Sequence, residues 1–180
     1  MKKCIILDRD GIINQDSLHY IKSVDEFVPI PESLDAIARL TRAGYQIGVA
    51  TNQSGVSRGY YSEAELQAIH AKMMAAVRAA GGEIMAIEYC IHMPDSGCDC
   101  RKPQPGMLLK LAQRFQCTPD NLLFIGDRVS DIQAAKAVGA TPIMVLSPMT
   151  DRALLLAYPR VPVYPSLAAF VDEFLAKTNA

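Results

Sequence analysis

The sequence carries no excess of either charge: 18 Lys and Arg stand against 19 Asp and Glu, a net charge of −1. That balance supplies no field for nucleic acid or for an anionic membrane surface. No apolar stretch approaches the ~20 residues of a membrane span. Met-Lys-Lys leads into four apolar residues and then two aspartates, unlike a secretory signal. A cytoplasmic protein is expected, with neither nucleic acid nor membrane as a partner. Internal repeats, low-complexity tracts and linkers are missing too. So is the Gly-x-x-x-x-Gly-Lys-Ser/Thr loop of nucleotide kinases. Nor is there room for a lid, because only about twenty residues separate Asp10 from a helical pattern starting at 31.

What remains is an ordinary globular composition, 50% hydrophobic and 21% charged over 180 residues. One domain over residues 1–180 is expected, as a monomer. Apolar runs at 4–7, 45–50, 84–90, 122–125 and 141–146 read as strands. Between them lie helical patterns at 31–43, from 62 to about 80, at 105–115 and at 130–138, with a last helix at 166–177. Pro31 suits a first turn, and Ser62 with Glu65 makes a capping box. Residues 147–165, with four prolines, read as a loop with a short edge strand. Strand–helix alternation of this kind predicts an α/β fold: a Rossmann-like, three-layer parallel sheet without a cap. Ligands bind such sheets at the carboxyl ends of the strands.

Polar residues gather at those ends. Asp8 and Asp10 follow the first strand, and Thr51 with Asn52-Gln53-Ser54-Gly55 follows the second. Arg101-Lys102-Pro103 closes the loop after the third, and Gly126-Asp127 with Asp131 follows the fourth. Two carboxylates at the end of a buried strand are costly unless they bind a cation or do chemistry. The set suits phosphoryl transfer. Asp8 can attack phosphorus. Asp10 can protonate the leaving alkoxide and then activate water. Two carboxylates would repel a phosphate, so a divalent cation, Mg²⁺, is expected between them, held by Asp8 and Asp127. Thr51 offers a hydroxyl and nearby amides to the phosphoryl oxygens. Lys102 offers a positive charge to the transition state.

Asp8-Arg9-Asp10-Gly11, Thr51, Lys102 and Gly126-Asp127-x-x-x-Asp131 resemble the four ordered motifs of the haloacid dehalogenase superfamily. The resemblance covers about residues 1–146. It implies a nucleophile on the central strand, and Asp10 contributing its backbone carbonyl to Mg²⁺. It also implies Asp131 standing behind the metal ligands, although Asp131 could equally cap a helix. Ile12 departs from the Thr or Val that many members carry.

Cys90-x-His92 and Cys98-x-Cys100 supply three thiolates and one imidazole, a full tetrahedral set for a structural Zn²⁺ in a loop over residues 90–100. The spacing is tighter than in finger domains, and no ligand position stays open. Such a clasp would shape the loop that carries Arg101 and Lys102. Ordinary reduced cysteines are the plain alternative. Cys4 reads as a small buried hydrophobe, and Cys117 carries no signal.

Asp-Arg-Asp-Gly, Thr51-Asn-Gln-Ser-Gly, Ser57-Arg-Gly, the cysteine loop and Cys100-Arg-Lys-Pro together narrow the resemblance. They are similar to a superfamily subgroup that dephosphorylates heptose bisphosphates and histidinol phosphate. The implied activity is removal of the 7-phosphate of D-glycero-D-manno-heptose 1,7-bisphosphate, in lipopolysaccharide core precursor synthesis. Histidinol-phosphate hydrolysis is the alternative. It often sits in a longer bifunctional chain, which favours the heptose. A zinc-stabilised binding module with a vestigial site is the alternative of another class. By resemblance Asp16, Ser17, Leu18, His19, Asn52, Gln53, Ser54 and Arg101 line the substrate site. Arg58, with Arg101 and Lys102, offers charge for a second phosphate. Ser147-Pro148-Met149 departs from the subgroup pattern. His70 reads as surface or core filling, and Met73-Met74 and Tyr60-Tyr61 read as packing.

Overall fold

A computed structural model describes residues 3–179. Six strands form one parallel sheet: β1 Cys4–Leu7, β2 Gln46–Asn52, β3 Ala86–Cys90, β4 Leu122–Gly126, β5 Thr141–Val145 and β6 Val163–Tyr164. Their order is β3-β2-β1-β4-β5-β6, so the chain winds outward from β1 in both directions. The reversal between β1 and β4 opens a crevice at the carboxyl edge, the usual place for a ligand in such sheets. The helices are α1 Pro31–Arg42, α2 Glu63–Ala79, α3 Gly106–Arg114, α4 Val129–Val138, α5 Arg152–Leu155 and α6 Leu167–Thr178.

Both faces of the sheet are buried, as a parallel sheet requires. Ile5, Leu7, Ile47, Val49, Leu123 and Ile125 point to a core shared with α1, α2 and α6. Cys4, Ile6, Ala50, Leu122 and Phe124 point the other way, into a core with α3 and α4. The alternation follows from the two-residue period of a strand. Pro31 opens α1 where its missing N–H costs nothing. Ser62 caps α2 by accepting from Glu65 N at 3.0 Å. The expected reciprocal bond is replaced: Glu65 Oε1 accepts from Val24 N at 3.2 Å and pins the loop after β1. Within the loop 147–165 lies the unforeseen α5, capped by Asp151. Neither the segment 8–30 nor 91–105, among the described residues, carries a helix or a multi-residue strand, and no cap covers the sheet edge.

Candidate active site

Register sets the site. Leu7 pairs with Val49 on one side and Ile125 on the other. Asp8, Thr51 and Asp127 therefore leave the sheet at one edge, and Asp8 N donates to Ile125 O at 2.9 Å. Gly11 makes this approach possible. It has φ +83°, and a Cβ there would collide with Asp127 Oδ2. Gly126 is similarly constrained, since a Cβ would meet the Asp131 carboxylate.

Lys102 is the hub. Its ammonium is buried and lies 3.0 Å from Asp8 Oδ1, 2.8 Å from Asp131 Oδ1 and 3.0 Å from Ala50 O. Burial pulls the Lys102 pKa down, but Asp131 and Asp8 outweigh it and the net direction is up. Asp131 Oδ2 accepts from Arg128 N at 3.0 Å and caps α4. Asp131 thus caps α4, one of the two roles the sequence offers it, while its other oxygen stands against Lys102.

Asp127 is fully buried beneath the edge. Its Oδ2 accepts from Ser147 Oγ at 2.6 Å, and its carbonyl accepts from Thr150 Oγ1 at 2.7 Å. Asp127 Oδ1 has no hydrogen-bond partner within the protein. Burial lifts the Asp127 carboxyl to about 6, with Asp131 adding to it. Burial likewise pushes Asp8 well above the ordinary carboxylate range, against the pull of Lys102. Oxygens of Asp8, Asp127 and Asp131 lie within 4.8 Å of one another. Three clustered carboxylates, two of them on the Lys102 ammonium and the third, Asp127, with an unpartnered Oδ1, are the donor set that a hard divalent cation such as Mg²⁺ satisfies. Asp131 spends its oxygens on Lys102 and Arg128, which leaves Asp8 and Asp127 to supply carboxylates.

Asp10 turns away from this trio. Its Oδ1 accepts from Arg9 Nε at 2.9 Å, Arg9 Nη2 at 2.7 Å and Asn14 Nδ2 at 2.9 Å. Its Oδ2 meets Gln53 Nε2 at 3.2 Å. Burial works to raise the Asp10 carboxyl, yet Arg9 and these hydrogen bonds prevail and lower it. Gln53 also reaches Thr51 Oγ1 at 2.9 Å and takes a 2.6 Å bond from Tyr61. Asn52 clamps the backbone of Lys102 through two bonds, of 3.0 and 3.1 Å.

Above these groups opens a cavity of about 570 Å³, a size suited to a small metabolite. Asp8, Asp10, Asp16, Ser17, Leu18, Thr51, Asn52, Gln53, Ser54, Arg58, Arg101 and Lys102 line it. His19 does not: its N–H is tied to Ser17 Oγ and its carbonyl to Lys22. The sequence did not single out Tyr20, Arg128 and Met149, which also line it. Arg128 donates to Asp16 Oδ2 at 3.3 Å. Arg58 lies over the Tyr20 ring, which packs on Tyr60. Arg128 had one signal, its place directly after Asp127 at a strand end. Ser147 and Thr150 had none, since their role depends on β5 lying beside β4.

The cysteine loop closes on itself. Cys90 Sγ lies 3.8 Å from Cys98 Sγ and 3.6 Å from His92 Nδ1, and Cys100 Sγ lies 3.3 Å from that nitrogen. A tetrahedral zinc with ~2.3 Å Zn–S and ~2.05 Å Zn–N bonds needs S···S edges of ~3.8 Å and S···N edges of ~3.6 Å. The four side chains fit that ion. Arg101 Nη1 donates to His92 O at 3.3 Å, tying the cavity wall to the clasp.

The chain resembles known proteins along most of its length. A family model described as "HAD-hyrolase-like" matches residues 99–170. The chain is 49% identical to D-glycero-beta-D-manno-heptose-1,7-bisphosphate 7-phosphatase of Pseudomonas putida, over 96% of this chain and 99% of that one. It is 46% identical to the Pseudomonas aeruginosa protein of that name, over 97% and 98%. In structure it resembles the D,D-heptose 1,7-bisphosphate phosphatase of B. bronchiseptica, complexed with magnesium and phosphate. That match has TM-score 0.89 and 43% identity, over 98% and 99% of the two chains. The chain belongs to the D-glycero-β-D-manno-heptose-1,7-bisphosphate 7-phosphatase family of haloacid-dehalogenase-like hydrolases.

Proposed function

We propose that the protein is a Mg²⁺-dependent phosphatase acting through an aspartyl-phosphate on Asp8. Its substrate is D-glycero-D-manno-heptose 1,7-bisphosphate, which loses its 7-phosphate in lipopolysaccharide precursor synthesis. The carrying observation is Asp8 itself, buried at the end of the central strand and paired with Lys102 at the floor of the cavity.

In the first step an Asp8 oxygen attacks phosphorus and the sugar alkoxide leaves with a proton from Asp10. In the second, Asp10 takes a proton from water, the water oxygen attacks phosphorus, and Asp8 is released. The Asp8 and Asp127 carboxylates and the Asp10 carbonyl would hold Mg²⁺, which would supply positive charge to the phosphoryl oxygens. Lys102 and Thr51 hold those oxygens, and Asp131 and Ala50 fix Lys102. Asp10 is ionised while Arg9 and Gln53 grip it. A phosphate dianion beside it pushes its pKa up again, as an acid in the first step requires.

Arg58, Arg101 and Arg128 on the cavity wall supply charge for a second phosphate. Relatives at 46–50% identity bear the heptose bisphosphatase name, which favours that substrate. We further propose one catalytic domain over residues 1–180 that acts as a cytoplasmic monomer; size-exclusion chromatography tests the monomer. No helix among the described residues is long and apolar enough to cross a membrane.

The deciding experiment compares kcat/KM for heptose 1,7-bisphosphate and histidinol phosphate, with Asp8→Asn as control. The reading expects a preference for the heptose and no turnover by the variant. A preference for histidinol phosphate overturns the substrate. No turnover of any phosphate in a broad panel with Mg²⁺ favours a binding module instead.

A further inference from the structure

His70 lies on α2, 61 residues from Arg9, and is 6% exposed. The Arg9 side chain is completely buried, and its guanidinium sits 5.8 Å from the Phe27 ring centre. Two of its nitrogens grip Asp10 Oδ1. The third, Nη1, turns from Asp10 and meets His70 Nε2 at 3.2 Å. A guanidinium nitrogen can only donate, so Nε2 must hold the lone pair. The ring is therefore neutral, with its proton on Nδ1. Burial supports that state, drawing the His70 pKa to about 3, and Arg9 adds to the effect. On its other side the ring leans on Tyr89, 5.8 Å between centres.

A buried guanidinium with an unmet N–H is costly, and an arginine free to swing would not hold Asp10 in one place. We propose that His70 is a positioning residue for the acid/base group: its Nε2 lone pair fixes the Arg9 guanidinium, and Arg9 fixes Asp10. Phe27 packs beside the guanidinium, and His70 holds the nitrogen that Asp10 leaves free. Gln53, braced by Tyr61, holds the opposite carboxylate oxygen. Asp10 thus sits between two arms from different elements, and His70 is the far anchor of one. The inference rests on Asp10 as acid/base in the reading above.

Leaving-group dependence separates this role from plain packing. p-Nitrophenolate departs with little protonation, whereas a sugar alkoxide needs the acid. First-turnover rates on heptose 1,7-bisphosphate and on p-nitrophenyl phosphate are measured for wild type, His70→Leu, His70→Gln and Met73→Ala. Met73→Ala loosens the same helix away from Arg9 and gives the packing baseline. Since general acid catalysis is worth about 10²–10⁴-fold, His70→Leu should lose about 10-fold or more on the sugar phosphate, less than about threefold on the aryl phosphate, and leave KM within about twofold. His70→Gln, which keeps an acceptor, should recover most of the loss. Equal losses on both substrates, a loss no larger than that of Met73→Ala, or no recovery by His70→Gln overturns the assignment. If His70→Leu does not fold, His70→Asn, with a shorter amide, takes its place. Wild-type turnover of the sugar phosphate in the same assay tests the underlying reading separately.

Discussion

The floor and the rim of the cavity are built on opposite plans. On the floor, Asp8, Lys102, Asp127 and Asp131 are each at most 6% exposed. Lys102 has three oxygen partners, and Asp127 is held from β5's end by Ser147 and Thr150. At the rim, Leu18 is 79% exposed, and Arg128 leans on Asp16 by one 3.3 Å bond. The floor is fixed before substrate arrives, as electrostatic preorganisation demands. The rim is left to loops, which can differ without disturbing the floor. Chemistry and selection are thereby largely separable, and the zinc clasp joins them through Arg101 and Lys102, as Arg128 does through its N–H on Asp131.

Breaking the floor should have the largest effect. Lys102→Met leaves Asp8 and Asp131 buried without their cation. It should lower kcat by about 10²–10³ and cost about 3–5 kcal/mol of stability. Steady-state kinetics and urea unfolding measure both. Opening the clasp comes next. Cys100→Ser should abolish stoichiometric zinc and lower Tm. It should reduce kcat/KM by about 10-fold or more, since a lost structural ligand shifts the loop that carries Lys102. Metal analysis with calorimetry checks it. A zinc-free variant with full stability and activity would show that the loop needs no ion.

Breaking the rim alone sharpens the contrast. Arg101→Ala and Arg128→Ala should raise KM while kcat falls less, because a lost charge-assisted contact is worth about 1.5–3 kcal/mol of binding. Removal of a floor residue should do the reverse. A large kcat loss with unchanged KM in either rim variant would erase the division.

The smallest effect is on pH. His70 is depressed to about 3 from an ordinary 6.5, so the unfolded chain binds its proton first as pH falls. Its contribution to stability is complete above about 6.5 and is lost progressively between there and about 3. Urea unfolding at pH 7 and pH 5 should show wild type losing up to about 1.4 kcal/mol per unit more than His70→Gln. Identical pH slopes would contradict a buried neutral ring.

The sheet, its helices and the convergence of Asp8, Thr51, Lys102 and Asp127 could be read from the sequence. Strand and helix periods are local, and each motif directly follows a strand. The supports of those residues could not be read. Nothing local to Arg9 sends it inward; it is buried because Phe27 and His70, from distant segments, enclose it. Ser147 looked like a departure from pattern, and its hydroxyl orients Asp127 only because β5 pairs with β4. Glu65 was expected to close its own helix cap, and a neighbouring loop claims its carboxylate. Each of these depends on contacts between elements far apart in the chain, which leave no periodic trace.

The proposed reaction requires that Asp8 become phosphorylated. Acid-quenched single turnovers with ³²P-labelled heptose 1,7-bisphosphate, followed by peptide mapping, test it most directly. Transient label is expected on the peptide containing Asp8, absent from Asp8→Asn and chased by excess unlabelled substrate. Full turnover with no label on the protein, and inversion of configuration at phosphorus, would contradict it.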